Sequence, residues 1–195
     1  PTLDRVERAY RETVMSVPHY EEEYDDDLLA SVAAELGDDA AAALTASDGL
    51  TPDLREGLVR RSHEAVRRRE NLTDALDDER ERLDDAETRL ARIDRERRAL
   101  AAHLDGDVAD SFDACADVWK RLDELERRCA AVASDRQADI RDPPINRSDA
   151  SPSFYRYLYG GDAVANHPVL AEVAALVRRI RTDRERVEKR LADAP

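Results

Sequence analysis

From Leu58 to Leu104 the sequence contains neither glycine nor proline. Most of its residues are Ala, Leu, Arg or Glu, which are strong helix formers. The run is introduced by Thr51-Pro52. Thr serves as the last non-helical residue, and Pro fits the first helical position, where a missing N–H costs nothing. Asp53 and Glu56 place negative charge in the opening turns, where the helix dipole favours it. One helix over Thr51–Leu104 is therefore expected, roughly 80 Å long at about 1.5 Å per residue. Other helices must cover it.

Apolar and small residues recur along this helix in alternating steps of four and three. The positions are Leu58, Ser62, Ala65, Arg69, Leu72, Leu76, Glu79, Leu83, Ala86, Leu90, Ile93, Arg97, Leu100 and Leu104. That is coiled-coil spacing, which holds one face of a helix toward a partner. Ser62, Arg69, Glu79 and Arg97 interrupt the stripe, weakening it but able to fix its register. Leu104-Asp105-Gly106-Asp107 is expected to end the helix, Gly106 supplying a left-handed residue.

The flanking segments read as further helices. Leu3 to about Val17 has apolar residues three to four apart, with a turn at Pro18-His19-Tyr20. Leu28–Leu36 forms a short helix closed by Gly37, Asp39–Thr45 forms another, and Ser47-Asp48-Gly49 turns into the long helix. A second long helix is expected from Asp107 to about Arg136, its stripe being Val108, Phe112, Cys115, Trp119, Leu122, Glu126, Cys129 and Ala133. Val118, Leu125 and Val132 widen that stripe, so more than one partner should cover it. A short connection makes the pair an antiparallel hairpin. After the polar loop Ile145–Pro152 comes an aromatic run, Ser153–Tyr159, expected to form one or two helical turns and plug one end of the bundle. The last helix begins at Asn166-His167-Pro168 and carries Val173, Leu176, Ile180 and Val187, with Leu191 just beyond.

Composition bounds the working conditions. Net charge is −14, and 29 of the 31 basic residues are arginine, leaving Lys120 and Lys189 as the only lysines. Asp outnumbers Glu, Ala is abundant, and large aromatics are few. This pattern fits a haloarchaeal protein working in molar KCl, where short carboxylates stay hydrated and net charge maintains solubility. At such salt the Debye length is about 3 Å or less, so partner binding would rest on apolar packing and close contacts. No apolar run approaches the ~18 residues that signal a membrane span, and no secretory segment is apparent. The expected location is the cytoplasm. Pro1 fits removal of an initiator Met, and a sequence cut from a longer chain would look the same.

The residues that attract a chemical reading are better explained structurally. Glu21-Glu22-Glu23-Tyr24-Asp25-Asp26-Asp27 could recruit a hard cation through oxygen ligands, but an acidic helix entry with a solvated face is the expected role. Cys115 and Cys129 lie roughly 20 Å apart along one helix, too far to bridge within it, and are expected to be buried thiols. His19, His63, His103 and His167 form no pair at metal-ligand spacing. Asn71-Leu72-Thr73 and Asn146-Arg147-Ser148 match the glycosylation triplet by chance. Two arginine clusters are the sharpest feature. One is Arg60, Arg61, Arg67, Arg68 and Arg69; the other is Arg178, Arg179, Arg181, Arg184, Arg186, Lys189 and Arg190. Phosphate binding is one reading. Interleaved Glu64, Glu70, Asp183, Glu185 and Glu188 favour intrachain pairing instead. No catalytic, metal-binding or cofactor-binding residue is assigned.

Two stretches resemble an uncharacterised haloarchaeal family of helical proteins, a domain of unknown function. One is Glu7-Arg8-Ala9-Tyr10-Arg11-Glu12-Thr13-Val14-Met15, continuing through Val17-Pro18-His19-Tyr20-Glu21-Glu22-Glu23-Tyr24. The other is Tyr157-Leu158-Tyr159-Gly160 with the later His167-Pro168-Val169-Leu170. The resemblance implies a helical fold and a haloarchaeal origin, and supplies no activity or site residue.

The expectation is an all-α chain, an elongated antiparallel bundle or coiled-coil hairpin forming a single domain over residues 1–195. Short helices occupy 1–50, the long hairpin 51–136, a loop with the aromatic helix 137–165 and the last helix 166–195. The expected function is a non-enzymatic interaction or scaffold protein, binding a protein partner or itself through its helical seams. A DNA-associated regulator using the Arg-rich last helix is the alternative.

Overall fold

The structure, a computed structural model, describes residues 2–104, 111–145, 154–160 and 167–193. It is all-α. The helices are α1 (Leu3–Thr13), α2 (Tyr20–Glu23), α3 (Leu28–Leu36), α4 (Asp38–Ala46), α5 (Pro52–Leu104), α6 (Phe112–Arg141), α7 (Phe154–Tyr159) and α8 (Pro168–Asp193). The expected turn at Asp105–Asp107, the stripe residue Val108, the loop residues 146–152 and Asn166 lie outside the described residues. The chain forms two compact units, residues 1–73 and 74–195, and α5 contributes to both.

Local chemistry sets the helix boundaries. The Leu54 amide donates to Thr51 Oγ1 at 3.2 Å, so Thr51 caps α5 as its sequence position suggests. Asp27 caps α3 through the Ala30 amide at 2.8 Å, and Ser111 caps α6 through the Ala114 amide at 3.2 Å. α1 stops at Thr13 and does not reach Val17. Thr13 and Ser16 each turn a hydroxyl onto the carbonyl four residues earlier, at 2.7 Å, and the Met15 amide reaches Tyr10 O, five residues back. Such local bonds compete with the helical ladder. His19 then takes a left-handed conformation (φ 64°) and opens the single turn of α2. α6 ends at Arg141, a turn and more beyond the expected Arg136.

In the first unit, Leu28 and Val32 of α3, Ala40 and Leu44 of α4 and Leu58 of α5 form a small core. Leu3, Val6 and Tyr10 of α1 are only partly buried against it. The second unit holds the larger core, built from α5, α6 and α8 around Ile93, Leu104, Leu122, Cys129, Leu176, Ile180 and Val187. Ion pairs fix the directions. Glu96–Arg128, Arg89–Asp135 and Arg82–Asp139 run in opposite order along α5 and α6, so these helices are antiparallel. Glu126–Arg181 and Asp123–Arg184 make α8 antiparallel to α6, whereas Asp94–Arg179 and Arg97–Asp183 make it parallel to α5. Two partners thus cover α6, as its widened stripe predicts.

The four-three stripe is buried or partly buried from Glu79 to Leu104 without exception. Upstream it departs from expectation. Leu76 is 40% exposed. It lies a turn before Glu79–Arg136 and Arg82–Asp139, which sit near the last turns of α6, and Ala75 takes the buried position instead. Ser62 and Arg69 are exposed as well. Phe112, expected on the inner stripe of α6, is 60% exposed at the first residue of that helix. Among the described residues no helix is long and apolar enough to cross a membrane.

Candidate functional site: an apolar groove in the N-terminal unit

The exposure of Ser62 and Arg69 has a structural cause. Leu58, Ser62, Ala65 and Arg69 keep the four-three-four step along a groove of about 610 Å³, where Leu58 and Ala65 are buried and Ser62 and Arg69 stand exposed. Val66, 53% exposed, lies on the same wall. Val6 and Tyr10 of α1, with Val14 just after it, form the opposite wall, and Leu28, Val32 and Leu36 of α3 the floor.

α1 is held loosely over this space. None of its residues is buried. Among the described residues, one side-chain hydrogen bond ties it to another helix, between the Tyr10 and Ser31 hydroxyls at 3.0 Å. Burial raises the Tyr10 phenol above its ordinary pKa. An amphipathic helix normally buries its stripe fully. Here the apolar surface of α1, α3 and α5 is brought together without being filled.

Arginines of the first cluster hold the floor in place. Arg61 Nη1 donates to Leu36 O at 2.8 Å, Arg68 Nη2 donates to Glu35 O at 2.7 Å, and Arg69 pairs with the Glu35 carboxylate. Cations at the last carbonyls of a helix complement its dipole and satisfy its orphan acceptors. Gly37 follows with φ 96° and ψ 155°, a conformation open essentially to glycine alone. A Cβ there would stand 2.8 Å from Arg61 Nη1. Three of the five arginines are thus engaged within the chain. Arg60 and Arg67 are exposed with no ion pair among the described residues.

The second cluster is also substantially paired. Arg181 and Arg184 share Glu126, at 2.7 and 2.8 Å, Arg179 reaches Glu172 at 2.8 Å, and Arg186 reaches Asp183 at 3.3 Å. The Arg184 guanidinium also lies 4.7 Å from the Trp119 ring centroid, a cation–π contact. Arg178, Lys189 and Arg190 have no ion pair among the described residues.

Two polar interruptions of the stripe find buried partners in the second unit. Arg136 donates to both oxygens of Glu79 at 2.9 and 2.6 Å, and both side chains are 4% exposed. α7 closes over this pair: the Tyr159 hydroxyl donates to Glu79 Oε1 at 2.5 Å, and the Arg136 guanidinium stands 4.9 Å from the Tyr155 ring centroid. Burial first, and that hydrogen bond second, push the Tyr159 phenol up to about 12. Phe154 and Tyr155 are buried. The aromatic run therefore packs inward and covers a buried polar pair. Arg97, the other interruption, donates to Asp183 at 2.7 Å and Asp94 at 2.9 Å. Burial works to raise the Asp94 pKa, but hydrogen bonding to Arg97 and the nearby Arg98 and Arg179 bring it below its ordinary value.

The remaining sequence candidates stay apart. Cys115 and Cys129 are not joined in a disulfide, and both are buried in the second core. Burial pushes the Cys129 thiol up to about 11, so it is held as an inert thiol. His19 bonds Glu22 at 2.9 Å. Asp27 is used as a helix cap, and Glu21, Glu22 and Glu23 lie exposed in or beside α2. His63 and His103 are exposed on α5. Asn71-Leu72-Thr73 lies within α5, and Asn146-Arg147-Ser148 lies outside the described residues. The groove was not foreseen. The signals that point to it are Ser62 and Arg69, polar residues on the stripe with no expected partner.

The chain belongs to the family described as a domain of unknown function (DUF7260), whose model matches residues 1–184. No curated protein and no solved structure matches it.

Proposed function

We propose that this chain is a non-enzymatic interaction protein of the cytoplasm, adapted to high salt, that receives a partner in the groove of its N-terminal unit. The carrying observation is the unfilled apolar space of about 610 Å³ between α1, α3 and α5 of the first unit, whereas in the second unit the stripe from Glu79 to Leu104 is buried or partly buried by the chain's own helices. The coiled-coil-like stripe from Glu79 to Leu104 is occupied by the chain's own helices. At the same spacing in the first unit Leu58 and Ala65 are buried, while Ser62 and Arg69 stand exposed at the groove.

The Arg-rich, Lys-poor and acidic composition supports work in molar salt. There, charge steering is screened within about 3 Å and apolar contact must carry binding. The DNA-associated reading is weakened by the pairing of Arg179, Arg181, Arg184 and Arg186 with carboxylates. The test is capture from a lysate in molar KCl with the native chain and with Val66→Asp, which alters the groove wall at an exposed position. A partner retained by the first and lost by the second supports the reading. Equal retention, or none by either, overturns it.

A further inference from the structure

The second unit holds a cavity of different chemistry, independent of the groove. It lies between α5 and α8, has a volume of about 410 Å³, and is lined by Arg97, Ala175, Arg178, Arg179, Thr182 and Asp183. We infer that it binds a tetrahedral oxyanion, the phosphoryl group of a small phosphorylated molecule.

The sign of the charge is the first argument. Three of the six lining residues are arginine and one is acidic, in a chain whose net charge is −14. The nearby carboxylates are shared among more cations than they can neutralise. Asp94 alone receives Arg97 at 2.9 Å, Arg98 at 2.5 Å and Arg179 at 3.9 Å. Asp183 receives Arg97 at 2.7 Å and Arg186 at 3.3 Å. Glu172 pairs with Arg179, which Asp94 already serves. Arg178 is exposed on the cavity wall and has no ion pair among the described residues. Positive charge is therefore left over after intrachain pairing, and a concave surface of one sign concentrates counter-ions.

The unused donors are the second argument. A guanidinium carries five N–H groups in a planar fork that matches phosphate oxygens in pairs. Arg97 spends Nε on Asp94 and Nη1 on Asp183, and its Nη2 has no bond among the described residues. Arg178 spends none of its donors there. The Thr182 hydroxyl is a further donor, and small Ala175 and Thr182 leave room between the cations. Such charge-assisted bonds span about 2.7–2.9 Å, inside the roughly 3 Å Debye length of molar salt, so the site needs no long-range steering. A nucleic acid would require further cations along the helix, but Arg181, Arg184 and Arg186 are held by Glu126 and Asp183.

Inorganic phosphate is the probe, titrated calorimetrically into the full chain at about pH 8 and the lowest salt that keeps it folded. Saturable one-to-one binding is expected, with acetate at least about tenfold weaker because it carries one charge and two oxygens. Arg178→Gln should weaken phosphate about fivefold or more, and Thr182→Val about twofold or more. Arg190→Gln removes an exposed arginine of the same helix that does not line the cavity, and should change the affinity less than about twofold. Circular dichroism confirms that the variants are folded. In molar KCl both anions should weaken, with phosphate keeping its lead over acetate. No saturable phosphate binding, acetate as tight as phosphate at either salt, or equal losses in Arg178→Gln and Arg190→Gln overturns the inference. A duplex oligonucleotide that binds at least about tenfold more tightly than phosphate, and is weakened by Arg190→Gln, identifies a nucleic-acid surface instead and overturns it as well.

Discussion

Arg136 meets Glu79 across 57 positions of sequence through two hydrogen bonds, of 2.9 and 2.6 Å, with both side chains 4% exposed. Each charge is taken out of water and meets its counter-charge in the other, with the Tyr159 hydroxyl on Glu79 and the Tyr155 ring against Arg136. Breaking one side of such a pair leaves an unmatched buried charge, which costs about 3–5 kcal/mol. Glu79→Ala should therefore lower the unfolding free energy by about that amount in urea titrations. Replacing both members, as in Glu79→Leu with Arg136→Met, should cost far less, because well-packed apolar replacements of buried pairs are often neutral. A double variant as unstable as Glu79→Ala would show that the geometry around α7, and not charge compensation, governs the site.

Tyr159 gives this site a pH dependence. Its phenol is pushed up to about 12 by burial and by the hydrogen bond to Glu79. An acid whose folded pKa is raised is held neutral by the fold. Its contribution is fully present below the ordinary value of about 10 and is lost as pH rises from there through about 12. Tyr155 has a raised pKa too, burial again being the first cause, and adds in the same direction. Melting curves between pH 8 and 12 should show the native chain losing stability above about pH 10 more steeply than Tyr159→Phe. Parallel curves for the two would remove Tyr159 from the account. At neutral pH, Tyr159→Phe should cost about 1.5–3 kcal/mol, the range for a hydrogen bond to a charged acceptor.

Much of this architecture was legible in the residues, and the exceptions share a cause. The start of α5 at Thr51-Pro52, the end of α3 at Gly37 and the stripe from Glu79 to Leu104 are local or periodic signals, and they hold. Glu79 and Arg97 stood out as polar residues on an apolar stripe that could fix register. Their partners, Arg136 and Asp183, could not be chosen by spacing, because partners on other helices are set by how far those helices reach. The exposure of Leu76 follows from the same fact, since periodicity does not tell where α6 runs out. The groove was illegible for a related reason. Ser62 and Arg69 fit the stripe, and only the loose seating of α1 leaves them uncovered.

Gly37 tests the floor of the groove. With φ 96° it sits where side-chain-bearing residues are strained, and a Cβ would meet Arg61 Nη1 at 2.8 Å, disturbing the bond from that atom to Leu36 O. Gly37→Ala should destabilise the first unit by about 1–3 kcal/mol, the cost of holding a residue in a sparsely populated conformation. Hydrogen exchange should show the loss in residues 28–46 and leave 112–141 unchanged. Arg61→Ala alone should cost less, because it strains no backbone and only leaves the Leu36 carbonyl without its donor, while in a Gly37→Ala background it also removes the atom the new Cβ would meet. Gly37→Ala combined with Arg61→Ala should then be milder than the two single losses added together.

The cysteines report on the second unit independently. Cys115 and Cys129 are buried in its core, and burial pushes the Cys129 thiol up to about 11. A thiol in that state is both inaccessible and protonated at neutral pH, so it reacts only after the surrounding helices part. Ellman's reagent should therefore label neither cysteine of the folded chain on the timescale of minutes, and label both in denaturant. If reclosing is faster than labelling, the slow native rate tracks the equilibrium between closed and open forms. Glu79→Ala, which removes about 3–5 kcal/mol from that equilibrium, should then accelerate labelling by about 10²–10³-fold or more. Val66→Asp in the groove wall should leave the rate unchanged, because Val66 is exposed and belongs to the other unit. Rapid native labelling of Cys129 would show that the core around Leu122 and Ile180 opens without unfolding. Acceleration by Val66→Asp would show that the two units do not open separately.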